Sequence, residues 1–247
     1  AQISRYHIPF MNCAGVNAVQ VSEMTIALIL TLYRRILPVS QDMKHGIWSK
    51  ERFLPECRTI HGKTVGIIGI GNIGRRVAKL VQAFGATVQY YDTFRLPVEE
   101  EQACHITYSD LTVLLKTSDI VTLHVPLLPS TENMINASAL SAMKPSAVVI
   151  NTARGEIVNE QDLYEALRNN EIAGAALDVL EDEEQQSEAN NPLFTLSNVV
   201  ITPHMGASTD EVLQAMVERC FENAVGVDQG TIKASAYVNS RFLTQAS

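Results

Sequence analysis

The sequence has few cysteines and no long apolar run, and each of these features excludes a class of protein. The cysteines form no CxxC pair and have no paired histidines nearby, so neither a disulfide framework nor a zinc site is indicated. The longest apolar run, residues 24–33, is far short of the roughly 20 residues needed to cross a bilayer. The first residues lack the basic start and apolar run of a secretory signal. We therefore expect a cytoplasmic protein with four free thiols, at Cys13, Cys57, Cys104 and Cys220.

Basic residues are also scarce relative to acidic ones. The chain has 19 Lys and Arg against 27 Asp and Glu, which gives a formal net charge of -8. Nucleic acids and anionic membranes attract clustered basic side chains, and because no such cluster occurs, neither is an expected partner. With 247 residues, of which 46% are hydrophobic, the chain can bury a substantial core in one large or two small domains.

From residue 64 onwards, β-branched apolar runs alternate with segments of helical periodicity. The runs lie at 64–68, 87–91, 119–125, 147–151, 173–179 and 198–202. Strands that are apolar on both faces and separated by helices predict a doubly wound parallel sheet. The predicted fold class is therefore α/β, with the doubly wound sheet of a Rossmann-type fold.

The segments outside this alternation are less regular. Residues 21–36 predict a helix that is apolar on nearly every face and must be covered all round by its own domain or by a second subunit. Residues 38–62, which include the only tryptophan, Trp48, predict an extended arm. The acidic segment 181–191 predicts a solvated loop.

The first strand-like run leads into the pattern Gly69-x-Gly71-x-x-Gly74, which opens a helical segment. The first glycine permits a tight turn, the second lets the backbone approach a pyrophosphate, and the third lets helix and strand pack closely. The N-H groups that open the helix, including those of Asn72 and Ile73, would bind the anion.

Asp92, at the end of the next strand-like run, would accept hydrogen bonds from the adenosine ribose hydroxyls and repel a 2′-phosphate. The predicted cofactor is therefore NAD. Arg95 lies close enough in sequence to leave NADP open, because an arginine near this position can bind the extra phosphate.

Polar residues follow three of the later strand-like runs, where open α/β sheets bind their ligands. They are Arg154 in "INTARGEIV", the acidic residues after "AALDVLEDEE", and His204 in "VVITPHMGAST". Together with "GIIGIGNIG" and "HVPLLPST", these ordered motifs resemble those of the D-2-hydroxyacid dehydrogenases, from about Ile8 to about Asn239. The resemblance implies an NAD-dependent oxidoreductase that transfers a hydride between nicotinamide and a small 2-hydroxy or 2-oxo acid.

The resemblance assigns a catalytic role to three side chains. Arg154 would bind the substrate carboxylate, which suits a permanently charged, planar guanidinium. His204 would be the acid/base that exchanges a proton with the substrate oxygen. Glu183 would stabilise the protonated histidine, with Glu181 as its rival because neighbouring residues are also acidic.

The resemblance also implies cofactor contacts beyond the glycines. Asp178 would meet the nicotinamide carboxamide, or else would cap a loop, as aspartates commonly do. Pro126 in "HVPLLPST" would help to wall the nicotinamide. Further contacts are expected from Thr152, Ala153, Arg154, His204, Met205, Gly206 and Ala207.

The resemblance divides the chain into three parts. Residues 1–14 would be a crossover from a substrate domain, 15–207 the dinucleotide-binding domain, and 208–247 a helix and tail that return toward the substrate domain. We therefore expect a fragment that binds NAD but turns over poorly alone. Residues 21–36 and the arm resemble dimer-forming elements, so a homodimer is expected.

Other functions share part of this pattern. NAD-sensing co-repressors keep most of the motifs, and the charged residues do not exclude them. Formate dehydrogenases resemble the sequence less, because they have glutamine at the position of Glu183. Methyltransferases share the glycines but do not predict the ordered Arg, Glu and His.

Overall fold

The computed structural model describes residues 10–183, 191–232 and 237–238. The chain divides into two compact units, Val21–Gly206 and the pair of segments Ala1–Gln20 and Ala207–Ser247. Most of the predicted acidic loop at 181–191, most of the crossover and much of the C-terminal tail lie outside the described residues.

The larger unit is built on a seven-stranded parallel sheet in the order β3-β2-β1-β4-β5-β6-β7. The strands are β1 Thr64–Ile68, β2 Thr87–Tyr91, β3 Ile106–Tyr108, β4 Ile120–Leu123, β5 Val148–Asn151, β6 Gly174–Leu177 and β7 Val199–Ile201. All six predicted strands are confirmed. The edge strand β3 was missed because its three residues, ITY, have the exposed Thr107 at the centre, whereas the equally short edge strand β7 is the apolar run VVI.

Nine α-helices occur in the part of the chain that the structure describes. They are α1 Ala18–Tyr33, α2 Ile36–Lys44, α3 Lys50–Phe53, α4 Asn72–Ala83, α5 Val98–Cys104, α6 Leu111–Thr117, α7 Ala137–Ser141, α8 Glu160–Arg168 and α9 Asp210–Asp228. Helix α9 confirms the helix predicted after residue 208. Within the described ranges, none of the helices is both long and apolar enough to cross a membrane.

The prediction of an extended arm over 38–62 was wrong for the residues of α2 and α3, because these residues are helical. Pro38 misled the prediction, but it occupies the first turn of α2, where no helical hydrogen bond from its nitrogen is needed. The predicted helix at 21–36 is α1, which ends earlier because Arg35 has a left-handed backbone with φ 52°. Trp48, between α2 and α3, is 77% exposed.

Apolar clusters cover both faces of the sheet, as the double winding predicted. Along β4, Val121 and Leu123 belong to one cluster and Ile120 to the other, because successive side chains of a strand point to opposite faces. The first cluster includes Leu163 of α8. The second includes Val77 of α4 and Leu28, Ile29 and Leu32 of α1. The sheet is thus held between helices, with its two ends left for loops.

The four cysteines are free thiols, as expected. Two of them are neighbours in the smaller unit, although they are far apart in sequence: the Sγ atoms of Cys13 and Cys220 are 3.7 Å apart. Burial raises the pKa of the Cys13 thiol, and the contact with the Cys220 thiol adds to the rise.

Candidate active site

The predicted site residues follow the carboxyl ends of the strands. Because all seven strands are parallel, these ends lie along one edge of the sheet. Gly69 follows β1, Arg154 is close after β5, and His204 is close after β7. The strand order reverses between β1 and β4, and this is the point where open α/β sheets form a ligand crevice.

The three glycines of the motif have different surroundings. Gly69 has a left-handed φ of 97°, and a Cβ there would lie 2.6 Å from the His124 carbonyl oxygen. A Cβ on Gly74 would lie 2.1 Å from the Gly69 carbonyl oxygen. At Gly71, which caps α4, a Cβ would meet no described atom within 4 Å. The fold itself therefore requires Gly69 and Gly74, whereas Gly71 leaves open space in front of a helix N-terminus.

Asp92 lies beside this turn, as predicted. Its Oδ2 accepts a hydrogen bond from the Ile70 N-H at 2.9 Å, and its Oδ1 accepts one from the Phe94 N-H at 3.3 Å. Arg95 is held elsewhere, because its Nε and Nη2 each donate to Glu101 at 2.9 Å. This ion pair lowers the pKa of Glu101, and it engages the arginine that could have received a 2′-phosphate.

Asp178 organises the loop after β7. Its carboxylate is buried and accepts hydrogen bonds from the Thr202 hydroxyl at 2.5 Å, the Met205 N-H at 2.8 Å and the Gly206 N-H at 2.7 Å. Its carbonyl oxygen accepts the His204 N-H at 2.8 Å. Asp178 thus has the loop-capping role given above as the alternative, and its contact with nicotinamide stays a prediction.

His204 and Glu183 are in direct contact. The distance from His204 Nδ1 to Glu183 Oε2 is 2.8 Å, and because a carboxylate only accepts, Nδ1 is the donor. Both side chains are partly exposed, at 46% and 41%. With Nδ1 turned to the carboxylate, Nε2 on the opposite side of the ring is the atom suited to exchange a proton with a substrate.

Arg154 shares a cavity with this pair. The cavity is about 330 Å³ and is lined by Arg154, Gly155, Glu156, Leu180, Asp182, Glu183 and His204. The Arg154 side chain is exposed, and its Nη1 donates to the Ala153 carbonyl at 2.6 Å. The structure therefore brings the three predicted catalytic side chains to one space, which combines a fixed cation with an acid/base group.

Asn151, the last residue of β5, is a supporting residue that the sequence did not reveal. Its buried amide donates to the Arg154 carbonyl at 2.8 Å and accepts from the Ala153 N-H at 3.0 Å. It therefore fixes the turn that carries Arg154. The available signal was a polar residue at the end of an otherwise apolar strand.

The remaining predicted cofactor residues occupy varied positions. The Thr152 hydroxyl is buried, 3.1 Å from that of Thr25 in α1. Pro126 is exposed, and its carbonyl accepts the Thr131 hydroxyl at 2.6 Å. Ala207 is the first residue of the C-terminal segment of the other unit. The cofactor contacts of these residues stay predictions.

His124 lies directly after β4, next to the glycine turn. Its Nε2 is 3.0 Å from the Thr122 hydroxyl, whereas Nδ1 is buried and has no hydrogen-bond partner among the described residues. Part of the residue is accessible, but burial of the ring lowers its pKa to about 3. The ring is therefore neutral at physiological pH.

Comparisons with known proteins agree with this geometry. The family described as "D-isomer specific 2-hydroxyacid dehydrogenase, NAD binding domain" matches residues 26–206. A glyoxylate reductase of Thermococcus litoralis is 38% identical over 242 residues, which are 95% of this chain and 71% of that protein. The D-lactate dehydrogenase of Aquifex aeolicus, solved with NAD and lactic acid, superposes with a TM-score of 0.84 at 33% identity, over 93% of this chain and 72% of that one.

The share of the relatives that is matched varies widely. A D-3-phosphoglycerate dehydrogenase of Methanocaldococcus jannaschii is 39% identical over 206 residues, which are 83% of this chain but only 38% of that protein. The chain therefore spans between about two fifths and about seven tenths of the length of these relatives. The family match, residues 26–206, covers nearly all of the larger unit, Val21–Gly206.

Two substitutions should separate the structural and ligand-facing glycines. Gly74→Ala should lower the free energy of unfolding by about 1–3 kcal/mol, because its Cβ meets a backbone oxygen. Gly71→Ser should leave stability unchanged, because serine is a favoured helix cap, yet weaken NAD binding at least tenfold by filling the open space. Urea denaturation and titration calorimetry measure both effects. Equal stability losses in the two variants would contradict this assignment.

His124 should make stability depend on pH. The unfolded ring takes up a proton near its ordinary pKa of 6.5, whereas the folded ring does so near 3. Between these values the unfolded chain binds more protons, so the wild type should lose stability as pH falls through this window. His124→Gln should remove that part of the loss, and His45→Gln, at an exposed position, is the matched control. Parallel stability profiles for the wild type and His124→Gln, measured by urea denaturation, would exclude this effect.

Proposed function

Because the chain belongs to the D-isomer specific 2-hydroxyacid dehydrogenase family, we propose that it carries the NAD-binding and acid/base part of an enzyme that interconverts 2-hydroxy and 2-oxo acids. The observation that carries this proposal is the cavity shared by Arg154, Glu183 and His204 at the carboxyl edge of the sheet. A cation beside an acid/base histidine matches a substrate that has a carboxylate next to a carbonyl.

Each side chain has one task in the proposed reaction. Arg154 grips the substrate carboxylate with two N-H groups and so fixes the orientation of the neighbouring carbonyl. During reduction, His204 Nε2 gives its proton to the carbonyl oxygen as C2 receives the hydride; during oxidation it takes the hydroxyl proton back. Glu183 holds the ring through Nδ1 and stabilises the protonated form.

Bound NAD supplies the hydride chemistry, and the chain provides a fitting cradle for it. The open space at Gly71 and the N-terminus of α4 suit a pyrophosphate, which the N-H groups of Asn72 and Ile73 would bind. The Asp92 carboxylate, fixed by the Ile70 N-H, suits the adenosine ribose hydroxyls. The engagement of Arg95 by Glu101 supports NAD rather than NADP.

The proposed substrates are small 2-oxo acids and the matching D-2-hydroxy acids. The relatives named above act on glyoxylate, D-3-phosphoglycerate and lactate, which have in common a carboxylate next to the reacting carbon. We also propose that residues 1–14 and 208–247 connect the dinucleotide-binding domain, 15–207, to a substrate domain. A cytoplasmic location stays a prediction.

His204 should be needed for turnover but not for NAD binding. In the complete gene product, His204→Gln should lower the rate of 2-oxo acid reduction by about 10²–10⁴-fold, because the proton donor is lost. The dissociation constant for NAD should change less than about threefold, because the glycine turn and Asp92, proposed to bind the pyrophosphate and the adenosine ribose, are unchanged. Glu211→Gln, on α9, is the control.

Steady-state rates with glyoxylate, hydroxypyruvate and pyruvate, together with calorimetry, test this assignment. Near-normal turnover in His204→Gln would refute the acid/base role. A wild type that binds NAD tightly and reduces none of a broad panel of 2-oxo acids would instead favour the NAD-sensing binding module.

We further propose a homodimer, formed through residues 36–54, which run from the start of α2 to the residue after α3. This segment has six exposed apolar side chains, namely Ile36, Leu37, Met43, Ile47, Trp48 and Leu54. A surface with several exposed apolar side chains is typical of a protein–protein interface. The segment overlaps the first part of the arm, residues 38–62, that suggested a dimer from sequence.

The dimer should dissociate when this surface is made polar. Sedimentation velocity should show a dimer at micromolar concentration for the wild type and a monomer for the double variant Trp48→Ser, Leu54→Ser. Phe94→Ser is the matched control, because Phe94 is 83% exposed but lies outside the segment. A monomeric wild type would contradict the proposed dimer.

A further inference from the structure

We propose that Glu160 is a positioning residue, which holds the Glu181 backbone and the Asn191 side chain and thereby presents Glu183 to His204. This inference rests on the proposed function, because it concerns the acid/base pair of the same site. Glu160 is the first residue of α8 and was not among the predicted site residues.

The two oxygens of the Glu160 carboxylate hold two separate parts of the chain. Oε1 accepts the Glu181 N-H at 2.5 Å, and Oε2 accepts the Asn191 side-chain amide at 2.6 Å. Glu183 comes two residues after the first contact. A single carboxylate therefore fixes the Glu181 backbone just before Glu183 and also binds the side chain of Asn191.

The orientation of Asn191 is itself fixed. Its Oδ1 accepts the Leu193 N-H at 2.9 Å, so its NH₂ group is the part that faces Glu160. A flip of this amide would lose the Leu193 contact. The Asn191 side chain therefore presents a donor to Glu160, and only an acceptor at position 160 can pair with it.

A tight backbone contact fixes the same region from the other side. Gly155 lies so close to Leu180 that a Cβ on it would be 2.0 Å from the Leu180 carbonyl carbon. The start of α8 is also rigid, because the Asn159 side chain caps it by accepting the Asp162 N-H at 2.9 Å. The chain thus leaves β6, passes over Gly155 and reaches Glu160 with little freedom before Glu183.

The surroundings of Glu160 match an anchoring role rather than a solvated one. Burial raises the pKa of Glu160, and the Glu181 and Asp182 carboxylates add to the rise, while the two hydrogen bonds oppose it. A carboxylate is costly to bury next to other carboxylates unless its acceptors are used. Here both oxygens have donors.

The substitution Glu160→Gln tests this role at nearly constant volume. An amide has one acceptor oxygen in place of the two that Glu160 uses, so one of the contacts with Glu181 and Asn191 is lost. In the complete gene product we expect kcat for 2-oxo acid reduction to fall about tenfold and the midpoint of its pH profile to move to lower pH. KM should change less than about twofold, because Arg154 is untouched.

Three further variants make the result decisive. Asn191→Ala should change kcat and the pH midpoint in the same direction as Glu160→Gln, because it removes one of the two donors that hold the Glu160 carboxylate. Glu165→Gln, on the same helix but in an exposed ion pair with Arg168, should behave as the wild type. In a Glu183→Gln background, Glu160→Gln should have almost no further effect, because the group it positions is already lost.

Two outcomes would overturn the proposal. One is a Glu160→Gln variant whose kcat and pH profile match those of the Glu165→Gln control. The other is a Glu160→Gln substitution that lowers kcat equally in the wild-type and Glu183→Gln backgrounds. The NMR signal of the His204 Nδ1–H, which reports its hydrogen bond to Glu183, gives a readout that does not need turnover. If the wild type reduces no 2-oxo acid, the proposed function fails, but loss of this signal in Glu160→Gln would still support the positioning role.

Discussion

The candidate site depends on the buried carboxylate of Asp178. Through three hydrogen bonds it fixes the loop from Thr202 to Gly206, and its own backbone carbonyl holds the His204 N-H. His204 needs this support because its backbone is left-handed, with φ 54°, a conformation that costs a non-glycine residue on the order of 1–3 kcal/mol. The loop contacts offset that cost and direct the ring toward Glu183.

The parallel sheet gives this loop its neighbours. Because every strand ends at the same edge, the turn with Arg154 after β5 and the loop with His204 after β7 border one cavity. The glycine turn after β1 lies on the same edge, at the reversal of strand order. Polar residues at the ends of buried strands fix these loops: Asn151, the last residue of β5, holds the turn with Arg154, and Asp178, directly after β6, holds the loop after β7. Binding and acid/base groups are therefore positioned by a rigid core.

The sequence predicted those features that depend on local pattern or on resemblance. Even the three-residue edge strand β7 was predicted, because all its residues are apolar and β-branched, whereas β3, of the same length at the other edge, has the exposed Thr107 at its centre and shows no such run. The position of Pro38 suggested an irregular arm, although a proline in the first turn is compatible with helix α2. From spacing alone, either Glu181 or Glu183 could be the partner of His204. In the structure, Glu183 Oε2 lies 2.8 Å from His204 Nδ1. The contacts of Glu160 with Glu181 and Asn191 could not be predicted, because they join residues brought together only by the fold.

The central claim is that one edge of the sheet holds both the dinucleotide and the acid/base pair. A crystal structure of the chain with NAD tests it most directly. We predict the pyrophosphate against the N-H groups at the start of α4, the adenosine ribose within hydrogen-bond distance of Asp92, and the nicotinamide at the cavity shared by Arg154 and His204. A dinucleotide bound away from Gly71, or a nicotinamide distant from His204, would contradict the account.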